Sequence, residues 1–190
     1  MSRIALRVTA VAVLIALLGV GSYAIAGSGS KNFNGDPMIG YEENPDVSTV
    51  ANGSFTARLS DDGTSLHYKL SYSGLEGTVT QAHVHFGKTA INGGISFWLC
   101  ETAGTQSPSA STPTCPSPGG TVEGDITAAE VIGPAAQGIE PLNLAEILAA
   151  MRAGHAYANV HSTKWLGGEI RAQIANRGGG PNNFGGGGDD

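Results

Sequence analysis

From Gly53 onward, polar and apolar residues alternate with period two over most of the chain, the pattern of strands that press one face on a core. Phe55, Ala57 and Leu59 alternate with Thr56 and Arg58, and Asp61-Asp62-Gly63 follows as a hairpin turn. Leu66, Tyr68, Leu70 and Tyr72 then share a face opposite His67, Lys69 and Ser71. Gly74 to Gly77 turns the chain into Thr80–Gly87, where Ala82, Val84 and Phe86 lie on one face and Gln81, His83 and His85 on the other. Ile95, Phe97 and Leu99 alternate with Ser96, Trp98 and Cys100, and 121–126 reads as another short strand. Late in the chain, Ala156, Ala158 and Val160 alternate with His155, Tyr157, Asn159 and His161. Ile170, Ala172 and Ile174 alternate with Glu169, Arg171 and Gln173.

Period 3.6 appears once. Leu144, Ile147, Leu148 and Met151 form an apolar stripe after the cap residue Asn143, with Gly154 as the stop, which predicts one amphipathic helix of about three turns. Thr127 and Glu130 have capping-box spacing and predict a helical turn that Gly133-Pro134 ends. Many short strands and a single helix predict a mainly β fold, an antiparallel sandwich or flattened barrel with the helix as a lid. Residues 27–52, rich in Gly, Ser and Asn and then carrying two prolines, read as a linker and irregular lead-in. The glycine-rich 176–190 reads as a disordered tail.

The first 26 residues change the picture of where the protein works. Arg3 and Arg7 precede an uncharged apolar run from Val8 to Val20, and Ala24-Ile25-Ala26 is a small-x-small cleavage site. This predicts a secretory signal peptide and a secreted or periplasmic mature chain. The competing reading is an uncleaved anchor, since Val8 to Ile25 reaches the lower limit of a spanning helix. The chain beyond residue 26 keeps eight basic and sixteen acidic residues, a net charge of −8. That balance argues against nucleic acid or an anionic membrane surface as partner. Cys100 and Cys115 are the two cysteines, and in an exported chain they are most simply a disulfide rather than thiolate ligands.

Two stretches carry a family resemblance. His155-Ala156-Tyr157-Ala158-Asn159-Val160-His161-Ser162, followed by Gly168-Glu169-Ile170-Arg171-Ala172-Gln173-Ile174, resembles the closing signature of CHRD domains, named after chordin. Ala82-His83-Val84-His85-Phe86-Gly87 is similar to that family's central motif. The resemblance spans 53–175 and implies an immunoglobulin-like β-barrel with a limited likeness to copper/zinc superoxide dismutases. It implies occurrence in secreted and cell-surface proteins and no general biochemical activity. It also marks Tyr157, Asn159, Gly168, Glu169 and Arg171 as structural motif positions. The segment between the cysteines stands out as an insertion.

The candidate chemistry lies in the histidines. His83 and His85 share one strand face, and His161 lies on the equivalent face of another strand, so three imidazoles can converge if those strands are neighbours. Imidazole is the commonest ligand for zinc and copper. The fourth partner would be water, Glu169, His67 or His155. The competing reading is a structural polar network in which Asn159 and Arg171 take part and Glu169 pairs with an arginine. A small copper/zinc redox enzyme is the alternative from another class. It is short of ligands for two metals, and no nucleophile–base pair or phosphate-cradling loop is present. The leading expectation is therefore a non-enzymatic extracellular or envelope module that binds either a partner or a copper or zinc ion at the face of His83, His85 and His161. A purely structural envelope or matrix module is the third reading.

Overall fold

The structure, a computed structural model, describes residues 29–102 and 107–176. Nine antiparallel strands form one sheet: β1 (Asn32–Ile39), β2 (Asn52–Leu59), β3 (Leu66–Ser73), β4 (Val79–Phe86), β5 (Gly94–Glu101), β6 (Gly120–Ile126), β7 (Ala156–Ser162), β8 (Ile170–Gln173) and β9 (Ala175–Asn176). The strand order is β5-β4-β7-β8-β1-β2-β3-β6, with β9 pairing β1. The sheet curls until its two ends approach one another, giving a nearly closed barrel. The Tyr68 hydroxyl on β3 donates across the gap to the Leu99 carbonyl on β5.

Inside lie the alternating apolar residues that the periodicity picked out. Phe55, Ala57, Leu59, Leu66, Tyr68, Leu70, Ala82, Val84, Phe97, Leu99, Ala158, Val160, Ile170, Ala172 and Ile174 are all buried in one cluster. The helix α1 (Leu144–Arg152) buries Leu144, Ile147, Leu148 and Met151 in the same core. Its first turn is capped as expected, with Asn143 Oδ1 accepting from the Glu146 amide. Thr127 and Glu130 form the capping box, on a single 3-10 turn. Among the described residues no helix is long and apolar enough to cross a membrane.

The structure corrects the reading of the lead-in segment. The end of the linker and the start of the irregular segment together form the strand β1, which lies between β8 and β2 in the sheet and buries Phe33 and Met38. Its pattern is broken because the register with β2 shifts between Gly35 and Met38, around Asp36-Pro37. A proline has no N–H for the ladder, so a strand accommodates it at such an irregularity. Asn176, placed in the tail by its composition, instead pairs with Phe33 in β9. The signal segment 1–26 and the remainder of the predicted tail lie outside the described residues.

Cys100 on β5 is bonded to Cys115, which precedes β6. The bond therefore ties together the two ends of the curled sheet. Backbone hydrogen bonds from Glu101 N–H to the Pro113 carbonyl and from Cys115 N–H to the Glu101 carbonyl flank it. With a sequence separation of 15, the loop it closes is worth about 3 kcal/mol in the chain-entropy account. The Cys100→Ala/Cys115→Ala protein is expected to lose roughly that much stability in urea titrations while keeping its far-ultraviolet circular dichroism. An unchanged midpoint would mean that the seam holds without the bond.

Candidate functional site

Whether the histidines meet depends on strand order, and β4 and β7 are direct neighbours. Along this pair His83 lies opposite Asn159, His85 opposite Tyr157 and Gln81 opposite His161. Because Ala82, Val84, Ala158 and Val160 take the inner face, these polar residues crowd onto one outer patch. On the other side of β4, the β5 register slips after Ala82 and again after Val84. Those bulges set Trp98 opposite His83.

The three imidazoles each offer a nitrogen such that these atoms all lie within 4.8 Å of one another. His83 stands between the other two, with ring centroids 5.3 Å from His85 and 5.1 Å from His161. The Trp98 ring meets His83 edge-on at 4.3 Å. Tyr157 stacks flat on His85 at 4.7 Å, and the Arg171 guanidinium lies 3.3 Å over the other face of that tyrosine.

This outer face is not solvent-exposed, contrary to the alternation-based expectation. His83, His85 and His161 are only 1, 8 and 6% exposed. Two loops lie over the patch. The loop after β4 sets the Gly93 carbonyl on His85, and the chain after the 3-10 turn Gly40–Glu42 brings in Glu43 and Asn44. The loops bond to each other through Asn44 Nδ2 to the Ala90 carbonyl and Asn92 Nδ2 to the Asn44 carbonyl. Arg171 donates to the carbonyls of Lys88 and Ile91 and to Asn92 Oδ1, which anchors the first loop. Gly93 packs so closely on the Phe86 carbonyl that a side chain there would collide with it. Nothing in a period-two pattern announces two irregular loops folded over a strand face.

Two tautomers follow from the hydrogen bonds. His85 Nδ1 is 2.9 Å from the Gly93 carbonyl, and His161 Nδ1 is 2.9 Å from the Leu166 carbonyl. A carbonyl only accepts, so both Nδ1 atoms carry the proton and both Nε2 atoms present lone pairs. Each Nε2 is 3.1 Å from the same atom, Asn159 Oδ1. Neither nitrogen of the buried His83 has a hydrogen-bond partner.

Burial governs the charges. Desolvation pushes His83 down to about 2 and His85 to about 4, and it lowers His161 as well. The three imidazoles are therefore neutral at pH 7 and available as ligands. Glu43 is pushed up to about 7 by burial, partly offset by the Arg171 charge and a hydrogen bond from Asn159.

The other residues named from sequence fall elsewhere. Glu169 is buried near His161, but its Oε1 accepts from Thr49 Oγ1 and the Glu76 amide, and it forms no part of the histidine group. It does not pair with an arginine as expected, since Arg171 is spent on loop carbonyls and the Tyr157 ring. His67 sits on β3, exposed and paired with Asp125. His155 follows α1, outside the group. Gly168 has a φ of 125°, and a Cβ there would run into the Glu43 carboxylate. The sequence reading missed Glu43 altogether; it lies in the lead-in segment, and only the fold brings it to the patch.

A family model described as the CHRD domain matches residues 37–174. The chain belongs to the CHRD domain family. No curated protein and no solved structure matches it. The two stretches that carry the resemblance are the CHRD domain's neighbouring strands β4 and β7, with β8 beside them. The Cys100–Cys115 disulfide fits an oxidising compartment, as does the extracellular occurrence of CHRD domains.

The lowered histidines give the CHRD domain a signed pH dependence. Unfolded histidines take up protons below about 6.5 while the folded ones stay neutral, so stability falls as pH drops from about 6.5 towards 4. The slope is roughly 1.4 kcal/mol per pH unit for each titrating histidine. Glu43 works in the opposite sense: its stabilising share is present below about 4.5 and lost as pH rises through about 7. Thermal melts in chelator are expected to fall steeply on the acid side, and less steeply in His83→Leu. Melts flat between pH 4.5 and 6.5 would overturn the buried, neutral assignment.

Proposed function

We propose that this protein is an exported, non-enzymatic CHRD module that binds a zinc or copper ion at His83, His85 and His161. One observation carries the reading. His85 and His161, their tautomers fixed by backbone carbonyls, share one tight group with a buried third imidazole that has no hydrogen-bond partner of its own. Metal-bound histidines characteristically donate their other ring N–H to a carbonyl or carboxylate, which is the arrangement found here. Metal–nitrogen bonds of about 2.0–2.1 Å separate donors by roughly 3.4 Å. The 4.8 Å outer spacing of the nitrogens therefore closes by about 1.4 Å on binding.

His85 and His161 also tie loops to the sheet, and this favours a structural role for those two as the second reading. His83 separates the readings. A buried polar group without a partner costs about 1–3 kcal/mol, so a purely structural role gives no reason for an imidazole there. A redox enzyme needs a coordination position that substrate can reach, and the burial of all three rings argues against one.

Metal content measured by mass spectrometry on untagged protein from the periplasm tests the proposal. Near-stoichiometric zinc or copper is expected, with a melt that drops on chelation. His83→Leu is expected to lose the ion yet match or exceed the wild type's metal-free stability, because it removes an unpaired polar group. No metal uptake, or a His83→Leu protein that is less stable in chelator, would return the histidines to the scaffold.

A further inference from the structure

The Asn159 side chain lies against two of the three histidines. Its Oδ1 is 3.1 Å from Nε2 of both His85 and His161. Both nitrogens present lone pairs, because their Nδ1 protons are committed to the Gly93 and Leu166 carbonyls. The amide oxygen is also an acceptor. Three acceptor atoms thus face one another with no hydrogen between them, beside the unpaired nitrogens of His83. This arrangement is repulsive by itself and becomes attractive around a cation. The 3.1 Å spacing is close to the roughly 3.3 Å edge of a tetrahedron whose bonds are about 2.0–2.1 Å.

Turning the amide over would set its N–H groups on the imidazoles, but Glu43 opposes this. On its other side the Asn159 amide faces the Glu43 carboxyl, and once that carboxyl is ionised a flipped amide would oppose its oxygen to it. Glu43 is itself confined. It is 6% exposed, and Gly168 leaves the space it occupies. Asn159 is 2% exposed and held on β7 opposite His83.

We propose that Asn159 is the fourth ligand of the ion, through Oδ1, and that Glu43 is the positioning residue that turns this oxygen toward the histidines. The inference rests on the reading of His83, His85 and His161 as a metal site. The result is a closed N3O set without thiolate or thioether, which suits a divalent zinc or copper ion rather than a soft monovalent one. Four protein ligands leave no position for water or substrate, so the ion is held rather than used in turnover. A carboxylate behind a ligating amide has the same part as the carboxylates that support metal-bound histidines: it orients the donor and raises its basicity.

The test uses Co2+ as a spectroscopic stand-in for zinc, in the mature chain at pH 8, with affinities taken from competition against a chelator. Wild-type protein is expected to give an intense four-coordinate visible spectrum that excess azide does not change. Asn159→Leu is expected to bind at least 100-fold more weakly, with a spectrum that azide now shifts, because water replaces the amide. Asn159→Asp, which keeps an oxygen donor, is expected to bind within tenfold of wild type and to stay insensitive to azide. Glu43→Gln is expected to weaken binding by about tenfold or more with the four-coordinate spectrum retained.

The possible failures separate. If wild type takes up no Co2+ or Zn2+, or His83→Leu binds as wild type does, the three-histidine site itself is refuted. If wild type binds and His83→Leu does not, but azide shifts the wild-type spectrum, the fourth position is open and Asn159 is not a ligand. An Asn159→Leu protein equal to wild type in affinity and spectrum overturns the proposal in the same way. The azide result on wild type holds whether or not the Asn159 variants fold.

Discussion

The pairing of β4 with β7 is the constraint on which the rest of the site depends. Small and branched residues on both strands, Ala82, Val84, Ala158 and Val160, fill the barrel interior. Since side chains alternate across a strand, that choice sends His83, His85, Tyr157, Asn159 and His161 to the opposite face. A slip of one residue would reverse every one of them. Register here is thus fixed by the hydrophobic core, and the polar constellation inherits its geometry from that core without needing to specify it.

A polar patch between strands would normally be hydrated. Here two loops cover it, and the buried Arg171 holds the loop after β4 down. Its guanidinium reaches the carbonyls of Lys88 and Ile91 and stacks on Tyr157, which in turn stacks on His85. Burying an arginine is costly unless its donors are used. The same contacts that satisfy it also exclude water from the imidazoles. Desolvation then lowers the histidine pKa values, so one packing decision accounts for both their burial and their neutrality.

Much of this was legible in the sequence. The alternation in β2 to β5, β7 and β8, the Asn143 cap, the Thr127–Glu130 box and the pairing of the cysteines all follow from local rules. His83 and His85 could be paired from spacing alone, because i and i+2 on a strand share a face, whereas their meeting with His161 waited on strand order. Three things were not legible, each for a physical reason. β1 is hidden because Pro37 sits at a register shift and breaks the period. Burial of the histidine face depends on irregular loops, which carry no periodic signal. Glu43 and Asn159 come together only through contacts between distant segments, and an isolated glutamate in a proline-rich stretch gives no hint of its neighbour.

Several buried polar atoms around this patch have no hydrogen-bond partner, among them Trp98 Nε1 beside His83. Glu43 and Glu169 each leave one oxygen unpaired, and Glu169 bonds through the other. His83 bonds through neither nitrogen. A leucine would fill the same space beside Trp98 without that cost, and exchanging a buried unpaired polar group for an apolar one is generally neutral or stabilising. A fold that spends three backbone and side-chain acceptors on Arg171 could have supplied one for His83. The unpaired imidazole lies where two further lone pairs and an amide oxygen gather, and a cation resolves all four contacts at once. On the proposed metal-binding reading, that cost is the cost of keeping a ligand ready, which is the usual relation between local instability and a binding site.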